Sequence, residues 1–116
     1  MSEKAKILIV EDDDSIRLTL RDYLSRLEYE VLVASDGAGA IEQLLDHEVD
    51  VIVSDYRMNV LGGEHWIRFL QRYCSDKKIF VTSGYLKPDF DIPFKVLPKP
   101  FDYSDLAKLI KESLAV

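Results

Sequence analysis

The chain alternates short apolar runs with longer stretches in which apolar residues recur at helical spacing. Ile7-Leu8-Ile9-Val10 is a continuous apolar run that stops at Glu11-Asp12-Asp13-Asp14, the pattern of a strand buried on both faces. Asp14 or Ser15 is placed to cap a helix carrying Ile16, Leu20, Tyr23, Leu24 and Leu27. Val31–Ala34 predicts a second strand, and Ala40, Ile41, Leu44 and Leu45 mark a second helix after the turn at Ser35-Asp36-Gly37. Val49–Val53 predicts a third strand, ending at Ser54-Asp55. Gly62-Gly63 then breaks the loop before a helix on Trp66, Ile67, Leu70 and Tyr73. Ile79-Phe80-Val81 predicts a fourth strand, ending at Thr82-Ser83-Gly84, and Lys95-Val96-Leu97 a short fifth one, closed by Pro98-Lys99-Pro100. Asp102 caps a last helix striped by Leu106, Leu109, Ile110 and Leu114, with Asp105 as a capping-box-like partner.

Strands alternating with helices predict an α/β fold with a doubly wound parallel sheet, its right-handed crossovers laying helices on both faces. One stretch breaks the alternation. Pro88, Pro93 and Pro98 lie between Ser83 and Lys99, a spacing that leaves room for about one helical turn. The helix joining strands four and five is therefore expected to be short or absent. With 116 residues, no repeats and no linker-like stretch, residues 1–116 are expected to form a single domain.

Composition narrows the function. Fifteen Lys and Arg against 21 Asp and Glu give a net charge of −6, poorly suited to holding nucleic acid or an anionic membrane through phosphates. The longest apolar runs hold about four residues, far below the roughly 20 that span a bilayer. With no apolar leader before Ile7, the chain is expected in the cytoplasm. The lone Cys74 excludes an internal disulfide and a cysteine-based metal site, and is read as a partly buried helix residue.

In open α/β sheets, sites form at the carboxyl ends of the strands. The residues there are Glu11 and Asp12 after strand one, Asp55 after strand three, Ser83 after strand four and Lys99 after strand five. Three clustered carboxylates repel one another unless a cation relieves them, and an all-oxygen donor set favours Mg²⁺ over zinc or copper. A carboxylate can attack phosphorus to form an acyl phosphate. Such a transfer needs charge neutralisation on the phosphoryl oxygens. Lys99 supplies a cation and Ser83 a hydroxyl, with Thr82 as the competing hydroxyl. Asp13 and Asp14 are read as solvated or capping residues, and His47 and His65 as exposed helix residues. Trp66 and the other helix aromatics are read as core or partner-facing.

This ordered set resembles the receiver domain of two-component response regulators over the whole chain. Ile7–Asp13 is similar to the family's first strand and acidic pair, with the spacing to Arg17 selecting Glu11 and Asp12. Asp55-Tyr56-Arg57-Met58, with Gly63 eight residues after the Asp, is similar to its phosphoacceptor strand and loop. Val81-Thr82-Ser83-Gly84 and Lys99-Pro100-Phe101 match its hydroxyl step and its lysine, cis-proline and aromatic. The resemblance implies a flavodoxin-like five-stranded sheet of order 2-1-3-4-5. It implies a phosphoryl group passed to Asp55 from a sensor histidine kinase or histidine phosphotransfer protein. It implies Mg²⁺ held by Asp12, Asp55 and the Arg57 carbonyl, with Glu11 acting through water. Ser83 and Lys99 would contact the phosphoryl oxygens, and a cis Lys99–Pro100 bond would aim the lysine inward. Arg57 and Tyr85 would flank the site and tune attacking water. The domain would signal through protein contacts, as a monomer or homodimer, and not as an enzyme acting on a separate substrate.

Three residues or stretches depart from the family pattern: Asn59 in place of a proline, Val96 in place of a switching aromatic, and the shortened Ser83–Lys99 segment. They suggest that phosphorylation reorders the loop between Tyr85 and Phe94, and they keep open a phosphorylation-independent interaction module. Two further rivals fit less well. A small phosphatase using Asp12 would need a hydroxyl residue where Ile16 stands and a cap insertion. A flavin module would need a glycine- and hydroxyl-rich loop where four acids stand.

Overall fold

The computed structural model describes residues 4–84 and 92–115. The elements run β1 (Lys6–Val10), α1 (Asp14–Arg26), β2 (Glu30–Ala34), α2 (Gly37–Asp46), β3 (Val51–Asp55), α3 (Gly63–Tyr73), β4 (Lys78–Ser83), β5 (Lys95–Pro98) and α4 (Tyr103–Leu114). The strands form one parallel sheet in the order β2-β1-β3-β4-β5, as expected.

Successive strand residues point to opposite faces, and here they build two cores. Leu8, Val10, Ile52 and Val81 pack with Ala40 of α2 and Trp66, Ile67 and Leu70 of α3. Ile7, Ile9, Val51, Val53, Phe80 and Leu97 pack with Leu20 and Leu24 of α1 and Leu106 and Ile110 of α4. A continuous apolar run such as Ile7–Val10 is thus required, because both faces of the strand are covered.

The expected helix stripes hold with local corrections. Asp13 caps α1, in place of Asp14 or Ser15. Its extended backbone (φ −79°, ψ 115°) lets Oδ1 accept from the Ile16 N–H at 3.0 Å. Asp102 caps α4 as expected, but its partner is Ser104, whose N–H and hydroxyl both donate to it, which also holds the Asp102 carboxyl below its ordinary range. Leu27, Leu45 and Tyr73 are exposed, not core. Leu27 falls just past the end of α1, and Leu45 is turned about 100° round α2 from half-buried Leu44. Tyr73 ends α3 on its outer flank, against Phe69 with ring centroids 5.1 Å apart.

Among the described residues no helix lies between β4 and β5. The expectations placed on Tyr85, on Pro88 and on reordering of the loop up to Asp91 lie outside the described residues. Val96 and Phe94 pack, half-buried, against the core that holds α2 and α3. The loop after β3 rests on α2, where the Gly37 N–H donates to the Val60 carbonyl at 3.1 Å. A Cβ at position 37 would overlap the Leu61 carbonyl, so the close approach requires glycine.

Candidate functional site

The sheet order sends the chain from β1 one way to β2 and then back past β1 to β3. The crevice at this reversal is where open α/β sheets bind ligands, and β1 and β3 end there in Glu11-Asp12 and Asp55. Glu11 leaves β1 with its N–H bonded to the Ala34 carbonyl at 3.0 Å. Its Oε2 accepts from the Asp13 N–H at 3.1 Å, and its carbonyl accepts from Arg17 Nη1 at 2.9 Å. Arg17 also pairs with Asp14 at 2.6 Å, so the acidic turn is clamped onto α1.

Lys99 enters from the far side of the sheet. Its N–H donates to the Ser83 carbonyl at 2.8 Å, which ties the exit of β5 to the end of β4. The Lys99–Pro100 peptide is cis, as the family resemblance implied. Lys99 Nζ lies 2.7 Å from Glu11 Oε1 and 3.2 Å from Asp55 Oδ2. Glu11 and Asp55 are buried, and Asp12 is exposed at the mouth. One carboxylate oxygen from each of Glu11, Asp12 and Asp55 lies within 4.8 Å of the others. Asp13 is engaged instead as the α1 cap.

Burial pushes the Asp55 carboxyl up to about 7, the Glu11 charge adds to the rise, and Lys99 pulls against both. Burial disfavours the Lys99 ammonium, but hydrogen bonds and charge from Glu11 and Asp55 outweigh it and hold the group above its ordinary range. The site is therefore short of positive charge. Its donors fit a small hard cation. Mg²⁺ is bound through oxygen, commonly by one or two carboxylates with water completing its shell, and Glu11, Asp12 and Asp55 each offer one carboxylate oxygen to such a site.

Of the remaining residues singled out, Ser83 is buried at the end of β4. Thr82, the competing hydroxyl, is also buried and stands in register with Asp55. Arg57 is exposed, two residues beyond Asp55 on the loop. His47 and His65 are exposed, and Cys74 is a buried free thiol closing α3.

Two features escaped the sequence. Glu11 and Lys99 are read there as a metal-side acid and a phosphoryl-side cation, whereas they pair directly. Trp66, read as core or partner-facing, is in the core and donates its indole N–H to Ser54 Oγ, next to Asp55, at 2.8 Å. The Ser54 hydroxyl and the indole are the one signal the sequence offered, a donor and an acceptor both in core positions that need partners.

Comparison with known proteins agrees with this geometry. The family model described as the response regulator receiver domain matches residues 7–111. The response regulator receiver protein CpdR of Brucella abortus is 33% identical over 94% of this chain and 96% of its own length. The sensor kinase CckA of the same organism is 36% identical over 98% of this chain, which spans 13% of that kinase. The high-resolution structure of the Vibrio cholerae chemotaxis response regulator CheY4 superposes with a TM-score of 0.82 at 28% identity, covering 96% of this chain and 99% of that chain.

Proposed function

We propose that this chain, which belongs to the response regulator receiver domain family of two-component signalling, takes a phosphoryl group onto the carboxylate of Asp55. The observation that carries the proposal is Lys99 Nζ standing within 3.2 Å of Asp55 and 2.7 Å of Glu11 at the sheet's switch point. The donor is the phosphohistidine of a sensor kinase or phosphotransfer protein, in keeping with the likeness to the sensor kinase CckA. An Asp55 carboxylate oxygen attacks phosphorus as the N–P bond breaks, and the bond's electrons return to the imidazole. The product is an acyl phosphate on Asp55.

Lys99 is bonded to two carboxylates at rest, and its ammonium can turn from them to the new phosphoryl oxygens. Ser83 would donate its hydroxyl to the same group, since its carbonyl already anchors the Lys99 backbone. Asp12, Asp55 and the Arg57 carbonyl, with Glu11 beside them, would hold a magnesium ion. When bound, that ion supplies the positive charge the acidic cluster lacks. Residues 1–116 then act as one receiver domain that signals to other proteins and processes no separate substrate. Among the described residues no helix is long and apolar enough to cross a membrane. The proposed kinase donor would have the domain work in the cytoplasm.

Incubation with acetyl phosphate and Mg²⁺, followed by intact-mass analysis and peptide mapping, tests the proposal. One phosphoryl group should appear on Asp55, and not on Asp12, and should be lost with chelator and in Asp55→Asn. No adduct with any donor would favour the phosphorylation-independent interaction module.

A further inference from the structure

We propose that Trp66 is a positioning residue for Asp55, acting through the buried hydroxyl of Ser54. The inference rests on the reading of Asp55 as the phosphoryl acceptor and adds a device beneath it. Pairing between β1 and β3 ends at Val10 and Ser54, so Asp55 lies one residue past the support of β1. Its backbone carbonyl is instead held by the Ser54 hydroxyl, which donates to it at 2.9 Å. Ser54 Oγ in turn accepts from Trp66 Nε1 at 2.8 Å. An indole N–H can only donate, so it occupies a lone pair of Oγ and leaves the single hydroxyl proton directed at the Asp55 carbonyl.

The peptide that follows Asp55 is thereby held at both ends. Ser54 holds its carbonyl, and its N–H, on Tyr56, donates to the Thr82 carbonyl at 2.9 Å. The relay is dry: Trp66 and Ser54 are fully buried and Asp55 nearly so, conditions that strengthen each hydrogen bond. The indole is itself fixed. It stacks on Phe69 with centroids 5.5 Å apart and planes 10° from parallel, inside the core shared by α2 and α3. A side chain on α3 thus sets the rotor that sets the acceptor's backbone. Without the indole N–H, the Ser54 hydroxyl is free to turn and the end of β3 loosens.

Trp66 is the one tryptophan of the chain, so replacing all tryptophan biosynthetically with benzothienylalanine, in which sulfur takes the place of the N–H, edits this position alone. The test measures phosphorylation of the full chain by acetyl phosphate in Mg²⁺ for wild type, the analogue, Ser54→Ala, and the two combined. The analogue and Ser54→Ala should each lower the maximal rate by roughly tenfold, short of the hundredfold that about an ångström of misplacement can cost. The half-saturating acetyl phosphate should not change, and the combination should be no slower than either alone. A second measurement needs no variant: the indole N–H resonance of wild type should exchange slowly with solvent and shift when Asp55 is phosphorylated. Folded variants with wild-type rates, or an unmoved indole resonance, would overturn the inference while the acceptor reading stands. A wild type that takes up no phosphoryl group would overturn both.

Discussion

The two edges of the sheet use the same kinds of charge in opposite ways. At the amino ends of the strands, Lys6 and Glu30 approach to 4.0 Å, as do Lys4 and Glu28; Lys6 is half-buried and the other three are largely open to solvent. Lys77, though itself mostly covered, faces Glu48 and Asp76 that are exposed. At the carboxyl ends, Lys99 meets Glu11 and Asp55 at 2.7 and 3.2 Å, with both acids buried. Exposed pairs contribute about 0–1 kcal/mol, because water already solvates both partners. Buried charges cost several kcal/mol each unless partners compensate. The amino edge therefore carries its charge at little cost or gain in stability. The carboxyl edge holds an unfavourable concentration of negative charge, which Lys99 offsets in part and a bound cation would relieve further.

Removing the compensating cation should break the contrast most strongly. Lys99→Met leaves the Glu11 and Asp55 carboxylates facing each other without the cation that pairs with both. In chelator at neutral pH the variant should be less stable by about 2–3 kcal/mol, on the order of 10 °C in Tm for a domain of this size, and its phosphorylation should be severely slowed. Thermal melts and the acetyl phosphate assay check both.

Adding a cation should do the reverse. Mg²⁺ at ten times its Kd should stabilise the wild type by about 1.4 kcal/mol, and Asp12→Ala should lose most of that gain. Melts with and without Mg²⁺ measure it.

The raised Asp55 carboxyl predicts a pH dependence whose sign follows from linkage. The group binds its proton more tightly folded (about 7) than in the ordinary carboxylate range near 3.8. Its contribution to stability is therefore fully present below pH 4 and is lost as pH rises toward 7. In chelator, Asp55→Asn should melt several degrees above wild type at pH 8, and the gap should shrink as pH falls and close below pH 4. Equal melts at pH 8 would show that Asp55 carries no such strain.

The smallest effect belongs to the other edge. Lys6→Gln and Glu30→Gln should each change stability by no more than about 0.5 kcal/mol, and moderate salt should leave that result unchanged.

Much of this was legible in the sequence because it depends on local patterns. Ile7–Val10 and Val51–Val53 declare themselves as doubly covered strands, and the residues that follow them must lie at the carboxyl edge. The prolines at 88, 93 and 98 argue for a short or absent crossover helix, an expectation that falls largely on residues outside the described ones. Less legible was the choice among neighbouring acids. Asp13 and Asp14 differ by one position in sequence, and only the backbone angles at the start of α1 make Asp13 the cap. Exposed Leu45 shows the same limit, since hydrophobicity marks a helix but not how its last turn meets the sheet.

By itself the sequence determined the alternation of elements, the two-faced burial of the strands and the set of polar residues at their ends, because hydrophobic period and capping chemistry act over a few neighbouring residues. The tertiary structure decided which of those residues meet. Lys99 and Glu11 are 88 positions apart and touch because the order β2-β1-β3-β4-β5 brings the two strand ends to one crevice. Trp66 reaches Ser54 because α3 packs across β3. Contacts of that kind depend on how whole elements pack in space, and no local period records them.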